Sequence, residues 1–345
     1  MELAQITEPL LGWYAKNARI LPWREDVTPY HVWVSEIMLQ QTRVEAVKGY
    51  YLRFTSELPD IASLAGATEQ QLLKLWEGLG YYNRVRNLQK AAQMVMERYG
   101  GELPASYEEL LTLPGIGPYT AGAVASIAYG IPVPAVDGNV LRVISRLRAS
   151  YADIADPKVK RGVEDDLRGS MPQGHAGAFN QSLMELGATV CVPNGPPNCA
   201  VCPVHDLCEG RKLGIAIDLP VKTAKKPRRI EDRTVLLLVR DDMLAIRKRK
   251  DKGLLAGLWE LPSLAGHLDN TNAIEVIRKW GLEPLRVEAL GEAKHIFTHI
   301  EWQMTGLRVT VEESHAVDGL TWVDPKQLRD KYPIPSAFRS YLAAY

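Results

Sequence analysis

The chain has no net charge to spend on a partner: 41 Lys and Arg offset 41 Asp and Glu across its 345 residues. A nucleic-acid partner therefore has to be sought in local clusters of cations. No uninterrupted apolar run approaches the ~20 residues that a membrane-spanning helix needs. The opening MELAQITEPLLGWYAKN also lacks a basic stretch followed by an apolar core. These absences predict no membrane partner and a cytoplasmic chain, nucleoid-associated if bacterial. With 46 % hydrophobic residues and no fixed-period repeat, collagen-like and disordered classes drop out, and the length suits two or three packed domains. Cysteine is scarce. All four lie in CVPNGPPNCAVCPVHDLC, residues 191–208, spaced C-x7-C-x2-C-x5-C. In a reducing compartment such a cluster points to a metal centre, either tetrahedral zinc or an iron-sulfur cubane, and the spacing does not choose between them.

Strand signals are missing from residues 1 to about 215, which read as helices joined by short turns. TEQQLLKLWEGLG places Thr68 and Gln71 as a capping pair before an apolar stripe of Leu72, Leu75, Trp76 and Leu79, and SYEELLTL repeats the device with Ser106 and Glu109. In IDLPVKTAKKPRRIED the apolar periodicity vanishes and five Lys or Arg fall between Val221 and Arg229, the composition of an interdomain linker. From about Arg233 the texture turns to short β-like runs, RTVLLLVR, MLAIRKR, GLRVTVEES and LTWVD, with one helix near NAIEVIRKWGL. The fold class expected is multidomain: a mostly α domain followed by an α+β domain.

LTLPGIGPYTAGAVASIAYG reads as helix, tight turn, helix, with Pro118 at the first helical position, where proline is tolerated. Gly115 and Gly117 let a backbone approach a ligand, and the free N–H groups opening the second helix suit a DNA phosphate. Downstream, VPAVDGNVLRV contains Asp137, whose local role is the N-cap of the helix that follows. A carboxylate fixed there is expected to have a depressed pKa. Glu36 sits in VWVSEIML among apolar neighbours, where desolvation raises a carboxyl pKa. Arg84, Arg86, Arg142 and Arg146 are local cations suited to phosphates.

The order hairpin, Asp137, cysteine cluster resembles the helix-hairpin-helix DNA glycosylases of the endonuclease III superfamily. PWR (22–24), WVSEIMLQQTRV (33–44), GLGYYNRVRNL (78–88) and FNQSLMELGA (179–188) resemble the adenine DNA glycosylases, the MutY family. The resemblance implies a monofunctional enzyme of base excision repair that acts as a monomer on double-stranded DNA holding A:8-oxoguanine or A:G mispairs. Glu36 would protonate adenine and later handle water, Asp137 would face the cationic sugar, and Asn139 would orient the pair. Tyr119 would line the pocket where strand-cutting relatives keep a lysine. Trp23, Arg24 and Gln181 would line the adenine pocket, and Leu39, Gln41 and Tyr81 would wedge into the stack. Cys191, Cys199, Cys202 and Cys208 would hold a 4Fe-4S cluster, although the first gap has seven residues where the family pattern has six. GLLAGLWELPS resembles the opening of a Nudix signature whose acidic helix is missing. Phe297, Thr298 and His299 stand for the family's Phe-Ser-His loop, which reads 8-oxoguanine. The domains implied are a glycosylase domain with the cluster over 1–216, a basic linker over 217–231 and a Nudix-like domain over 232–345.

Overall fold

The computed structural model describes residues 2–224, 226–312, 317 and 319–345. The chain divides into two compact units, Met1–Ala67 with Arg86–Ala224, and Thr68–Val85 with Lys225–Tyr345. Nothing in the sequence marks the 68–85 segment for the second unit. Among the described residues the regular elements of the first unit are all helices, and no helix of either unit is long and apolar enough to cross a membrane.

Capping and proline placement decide where the site-bearing helices begin. Thr28 accepts from the His31 N–H and Pro29 occupies the first turn of Pro29–Leu39, while Pro118 opens Pro118–Tyr129 and Asp137 caps Gly138–Leu147. From Val140 to Leu147 every residue of the last of these is buried. Its Val140, Val143, Ile144 and Leu147 pack with Leu183 and Leu186 of Ala176–Thr189 and with Leu3, Ile6 and Leu10 near the N-terminus. Burial of each such side chain is worth roughly 1.5–3 kcal/mol, enough to fix the two helices that carry Asn139 and Gln181. Gly187 lets them close: a Cβ there would stand 2.7 Å from Asn139 Cβ. In the hairpin turn Gly115 has φ +78, and a Cβ would meet Asn87 at 2.8 Å, so glycine is required twice over.

The two expected helix caps form: the Thr68 hydroxyl accepts from the Gln71 N–H at 3.2 Å, and that of Ser106 from the Glu109 N–H at 3.3 Å. In the second unit, strands β1 (Arg229–Arg240), β2 (Met243–Lys248), β3 (Trp259–Glu260), β4 (Ser263–Ala265), β5 (Pro284–Ile296), β6 (Ile300–Val311) and β7 (Thr321–Val323) form one mixed sheet. Its order is β3-β2-β1-β6-β5, with β4 against β1 and β7 against β2. Strand periodicity separates its two cores. Val235, Leu237 and Val239 meet Phe338 and Tyr341 near the C-terminus, and Leu236 and Leu238 meet Ala273 and Ile277 of helix Asn270–Lys279.

β1 starts at Arg229, so the last three residues expected in the linker belong to the sheet. Its pairing with β6 begins at Arg229↔Ile300 and overrides the polar composition that suggested irregular chain. Of the linker cations, Lys225 lies outside the described residues, as do Glu313 and Ser314 of the expected GLRVTVEES strand. β5 has no counterpart among the expected strands. It is a sheet edge whose exposed and half-buried side chains carry too little apolar alternation to announce a strand.

Candidate active site

Within the first unit a cavity of about 990 Å3 is lined by Trp23, Arg24, Glu36, Leu39, Gln41, Gly117, Tyr119, Asp137, Asn139 and Gln181, among others. Its walls come from helices far apart in sequence: Pro22–Glu25, Pro29–Leu39, Pro118–Tyr129, the start of Gly138–Leu147, and Ala176–Thr189.

Glu36 is 6 % exposed, and its Oε2 accepts from the Tyr119 hydroxyl. Burial pushes the Glu36 carboxyl up to about 7; the Tyr119 hydrogen bond pulls the other way and the Asp137 charge adds to the rise. It is therefore poised between acid and base near neutral pH. Asp137 accepts from the Val140 N–H at 2.8 Å through Oδ1 and from the Asn139 amide at 2.7 Å through Oδ2. The cap is in place, but the expected depression of the Asp137 pKa is not. Burial raises this carboxyl above its usual range, and the hydrogen bonds from Val140 and Asn139 only moderate the rise.

Two of the expected phosphate cations have other work. Arg142 and Arg146 are 7 % and 3 % exposed. Arg142 donates to Asn139 Oδ1 at 2.9 Å, to the Gly187 carbonyl at 2.7 Å and to the Cys191 carbonyl at 2.8 Å. Arg146 donates to the Leu219 and Val192 carbonyls and to Cys191 Sγ at 3.3 Å. Their spacing in a buried helix, four residues apart on one face, turns both guanidiniums toward loop carbonyls. Arg142 thus ties Asn139, and through it Asp137, to the backbone of the first cysteine. In the second unit Arg84 donates to the Leu79 and Gly80 carbonyls and stacks over Trp76 and Tyr81. Burial lowers its pKa to about 10.

Trp23 is buried edge-on against Tyr51, and Arg24 donates to Gln181 Oε1 at 3.2 Å. The sequence reading missed what organises them. Glu185, 1 % exposed, receives Arg19 Nε at 2.6 Å and Arg24 Nη2 at 2.9 Å. Burial alone would raise the Glu185 carboxyl, but the two guanidiniums together hold it below the usual range. Its signal was present: a carboxylate four residues after Gln181 on a helix lies on the same face.

Gly117 lines the cavity at the N-cap of Pro118–Tyr129, and a Cβ there would meet open space, so its backbone is accessible. Leu39 is half-buried, whereas Gln41 is exposed with φ +58. In the second unit Tyr81 also has a left-handed backbone, φ +49, and is 48 % exposed. Non-glycine residues hold such conformations at a cost of about 1–3 kcal/mol, which concentrates at functional sites. The Tyr81 hydroxyl lies 3.1 Å from Thr298 Oγ1. Phe297, Thr298 and His299 form the turn between β5 and β6, closed by the Phe297 N–H on the Ile300 carbonyl. Phe297 packs edge-on against Trp302, while Thr298 and His299 are exposed.

Cys191, Cys199, Cys202 and Cys208 are all free thiols and line one cavity beside Arg146. Among the described residues no three Cys, His, Asp or Glu side chains converge as ligands of a single metal ion.

A family description, HhH-GPD superfamily base excision DNA repair protein, matches residues 34–168, and a NUDIX domain matches residues 234–344. The chain is 36 % identical to the adenine DNA glycosylase of Homo sapiens over 372 residues, covering 89 % of this chain and 68 % of that one. It is 32 % identical to the adenine DNA glycosylase of Buchnera aphidicola subsp. Baizongia pistaciae over 297 residues, covering 85 % of this chain and 82 % of that one. Among solved structures, endonuclease III in a non-covalent complex with DNA superimposes with a TM-score of 0.53 at 25 % identity, covering 62 % of this chain and 99 % of that one.

Proposed function

The chain belongs to the adenine DNA glycosylases, and from that premise we propose that it excises adenine paired with 8-oxoguanine or guanine in double-stranded DNA, hydrolysing the N-glycosidic bond and leaving an abasic site. It would act as a monomer in the compartment that holds the DNA, the nucleoid if bacterial. We assign residues 1–216 to the glycosylase domain, 217–228 to the linker and, from the start of β1, 229–345 to the Nudix-like domain.

The observation that carries the reading is the pair Glu36 and Asp137 in one cavity, held in different ways. A base inside a duplex must be flipped out to reach such a site, and about 990 Å3 is ample for one nucleotide. Glu36, near 7 and buried, gives a proton to the departing adenine. Its carboxylate then accepts a proton from water. Asp137 faces the developing cation on the sugar, and that positive charge favours the ionised form which burial alone disfavours. Asn139 holds Asp137 Oδ2, and Arg142 holds Asn139. Trp23, Arg24 and Gln181, set by Glu185, form the wall for the flipped base. The decisive experiment incubates the protein with duplexes carrying A opposite 8-oxoguanine, G or C, then exposes abasic sites with alkali. Adenine loss from the first two alone is expected, and equal loss opposite C would end the assignment.

Tyr119 supports a monofunctional enzyme, because a phenol cannot form a Schiff base with the sugar. Tyr119→Lys should yield covalent enzyme-DNA adducts on borohydride reduction and nick strands above background. Efficient trapping of the wild type would show that another amine acts.

The four thiols fit a cluster. All four line one cavity, and thiolates are the side chains that hold iron-sulfur clusters. Burial pushes the Cys202 thiol up to about 12, and the other three cysteines push the same way, so four thiolates need a compensating cation among them. Cys191, Cys199, Cys202 and Cys208 would hold a 4Fe-4S group, which would cross-link the loops of residues 191–208 that Arg142 and Arg146 already bind through the Cys191 and Val192 carbonyls. About four irons per chain and a yellow-brown colour are expected, both lost in Cys202→Ser. One zinc and no iron would refute this.

The turn at Phe297, Thr298 and His299, exposed at Thr298 and His299, is assigned to reading the base opposite adenine. Replacing Phe297 and His299 by alanine should weaken binding to A:8-oxoguanine by about 1–3 kcal/mol and A:G by less, measured at one salt concentration. Equal losses on both would reduce the turn to a general DNA contact.

A further inference from the structure

The turn of Phe297, Thr298 and His299 is fixed through its backbone. The Phe297 N–H donates to the Ile300 carbonyl at 2.8 Å, the Arg229 N–H to the His299 carbonyl at 3.0 Å, and Arg228 Nε to the Phe297 carbonyl at 3.1 Å. None of these three bonds holds a side chain of the turn.

Phe297 is held by rings instead. It meets two of them edge-on, His295 at 4.6 Å and Trp302 at 4.8 Å between centroids. The strand register brings the trio together: His295 on β5 stands opposite Trp302 on β6, and Phe297, two residues beyond His295, returns to the same face. The two partners differ in kind. Trp302 is fully buried, donates through Nε1 to Glu231 at 3.0 Å and packs against Phe338, so it offers a rigid wall. His295 is half-buried near the end of the edge strand, and its imidazole is the one ring of the three that can take up a proton.

Burial pushes the His295 pKa below its ordinary 6.5. The charges on the elements around it are engaged elsewhere. Lys294 pairs with Glu301 at 2.7 Å, Glu231 receives Arg229, Arg233 and Trp302, and Arg249, stacked over Trp302, pairs with Glu260. Arg228 is bonded to the turn, and His299 is exposed within it. Linkage runs both ways: packing beside Phe297 disfavours the imidazolium, so protonation disfavours the packing. The contact is intact above 6.5 and weakens as pH falls below it.

We propose that His295 is a positioning residue for 8-oxoguanine choice, which rests on the reading of this turn as the reader: its neutral ring seats Phe297 and so aims Thr298 and His299 at the base opposite adenine. The test measures binding of the full chain to duplexes that carry a tetrahydrofuran abasic analogue opposite 8-oxoguanine or guanine, at one salt concentration. With no adenine to protonate and no bond to break, the ratio of the two affinities isolates the choice of the opposite base. His295→Ala should shrink that ratio by about two- to tenfold, the range of one edge-on ring contact, with most of the loss on 8-oxoguanine. His295→Phe keeps a ring and should restore it. The wild-type ratio should also narrow from about pH 7.5 to about pH 5.5, whereas that of His295→Phe should hold, and His299 is common to both chains. The proposal fails if His295→Ala weakens both duplexes equally, if His295→Phe does not restore the ratio, or if the two pH profiles coincide. An unchanged ratio in His295→Ala, beside a reduced one in Phe297→Ala with His299→Ala, ends the role of His295 alone. Unchanged ratios in both variants end the reading of the turn as well.

Discussion

Glu36→Gln should remove adenine ~10²–10⁴-fold more slowly than the wild type in single-turnover assays, the span that positioned acid-base groups contribute, while binding A:8-oxoguanine duplex as before. The amide keeps the shape and can still accept from the Tyr119 hydroxyl, but it has no acidic proton. Activity within threefold of the wild type would remove Glu36 from the chemistry. Its pKa of about 7 adds two pH signatures. Excision by the wild type should decline as pH rises through about 7, since the protonated form is the donor. Stability should follow the same sign: the folded state holds a proton that the unfolded chain releases near 4.5, so this contribution is intact below 4.5 and lost as pH rises through about 7. The neutral isostere escapes that loss. Glu36→Gln should therefore exceed the wild type in stability by about 3 kcal/mol at pH 8 and match it at pH 4, read from denaturant midpoints.

Asp137→Asn separates the cap from the charge. An asparagine oxygen can still accept from the Val140 N–H, so the helix start survives. The second position is less forgiving, because the new amide nitrogen would oppose the Asn139 amide that now donates to Oδ2; one lost hydrogen bond costs about 0.5–1.5 kcal/mol. Against this modest change in stability, loss of the anion opposite the sugar should slow excision by ~10²–10³-fold, the scale of removing one preorganised electrostatic partner. A rate close to wild type, with the stability change alone, would leave Asp137 as a cap and nothing more.

The parts of the site legible in the sequence were those governed by local rules. Pro118 after a Gly-rich turn gave the hairpin, an acid before Gly138 gave the cap, and four cysteines close in sequence gave four thiols around one cavity. Glu36 among apolar neighbours gave a raised pKa because helical burial is itself a local consequence of sequence. What escaped depended on distant chain. Arg142 and Arg146 looked like surface cations because nothing local reveals that Gly187, Cys191, Val192 and Leu219 supply the carbonyls that receive them. Glu185 was passed over because its two arginines sit more than 150 positions upstream. Asp137 kept its cap but not its low pKa, since desolvation by the surrounding helices outweighed the helix start. β5 stayed hidden because an edge strand needs little apolar alternation, and the linker was drawn too long because a parallel partner, 71 positions away at Ile300, recruits Arg229.

That parallel partner sets the order in which the second unit can be made. β1 holds TVLLLV, buried from Thr234 to Val239, yet its neighbour β6 is registered from Arg229↔Ile300 to Val239↔Thr310. As the chain leaves the ribosome, the greasiest segment of the sheet emerges some seventy residues before the strand that covers its flank. Its early companions are the short pairings with β2 and β4. Long-separation pairing is slow to close, so nascent chains halted before Ile300 expose a hydrophobic strand with one bare edge. Chains cut short there should aggregate, whereas chains stopped near Ala224 carry none of that strand.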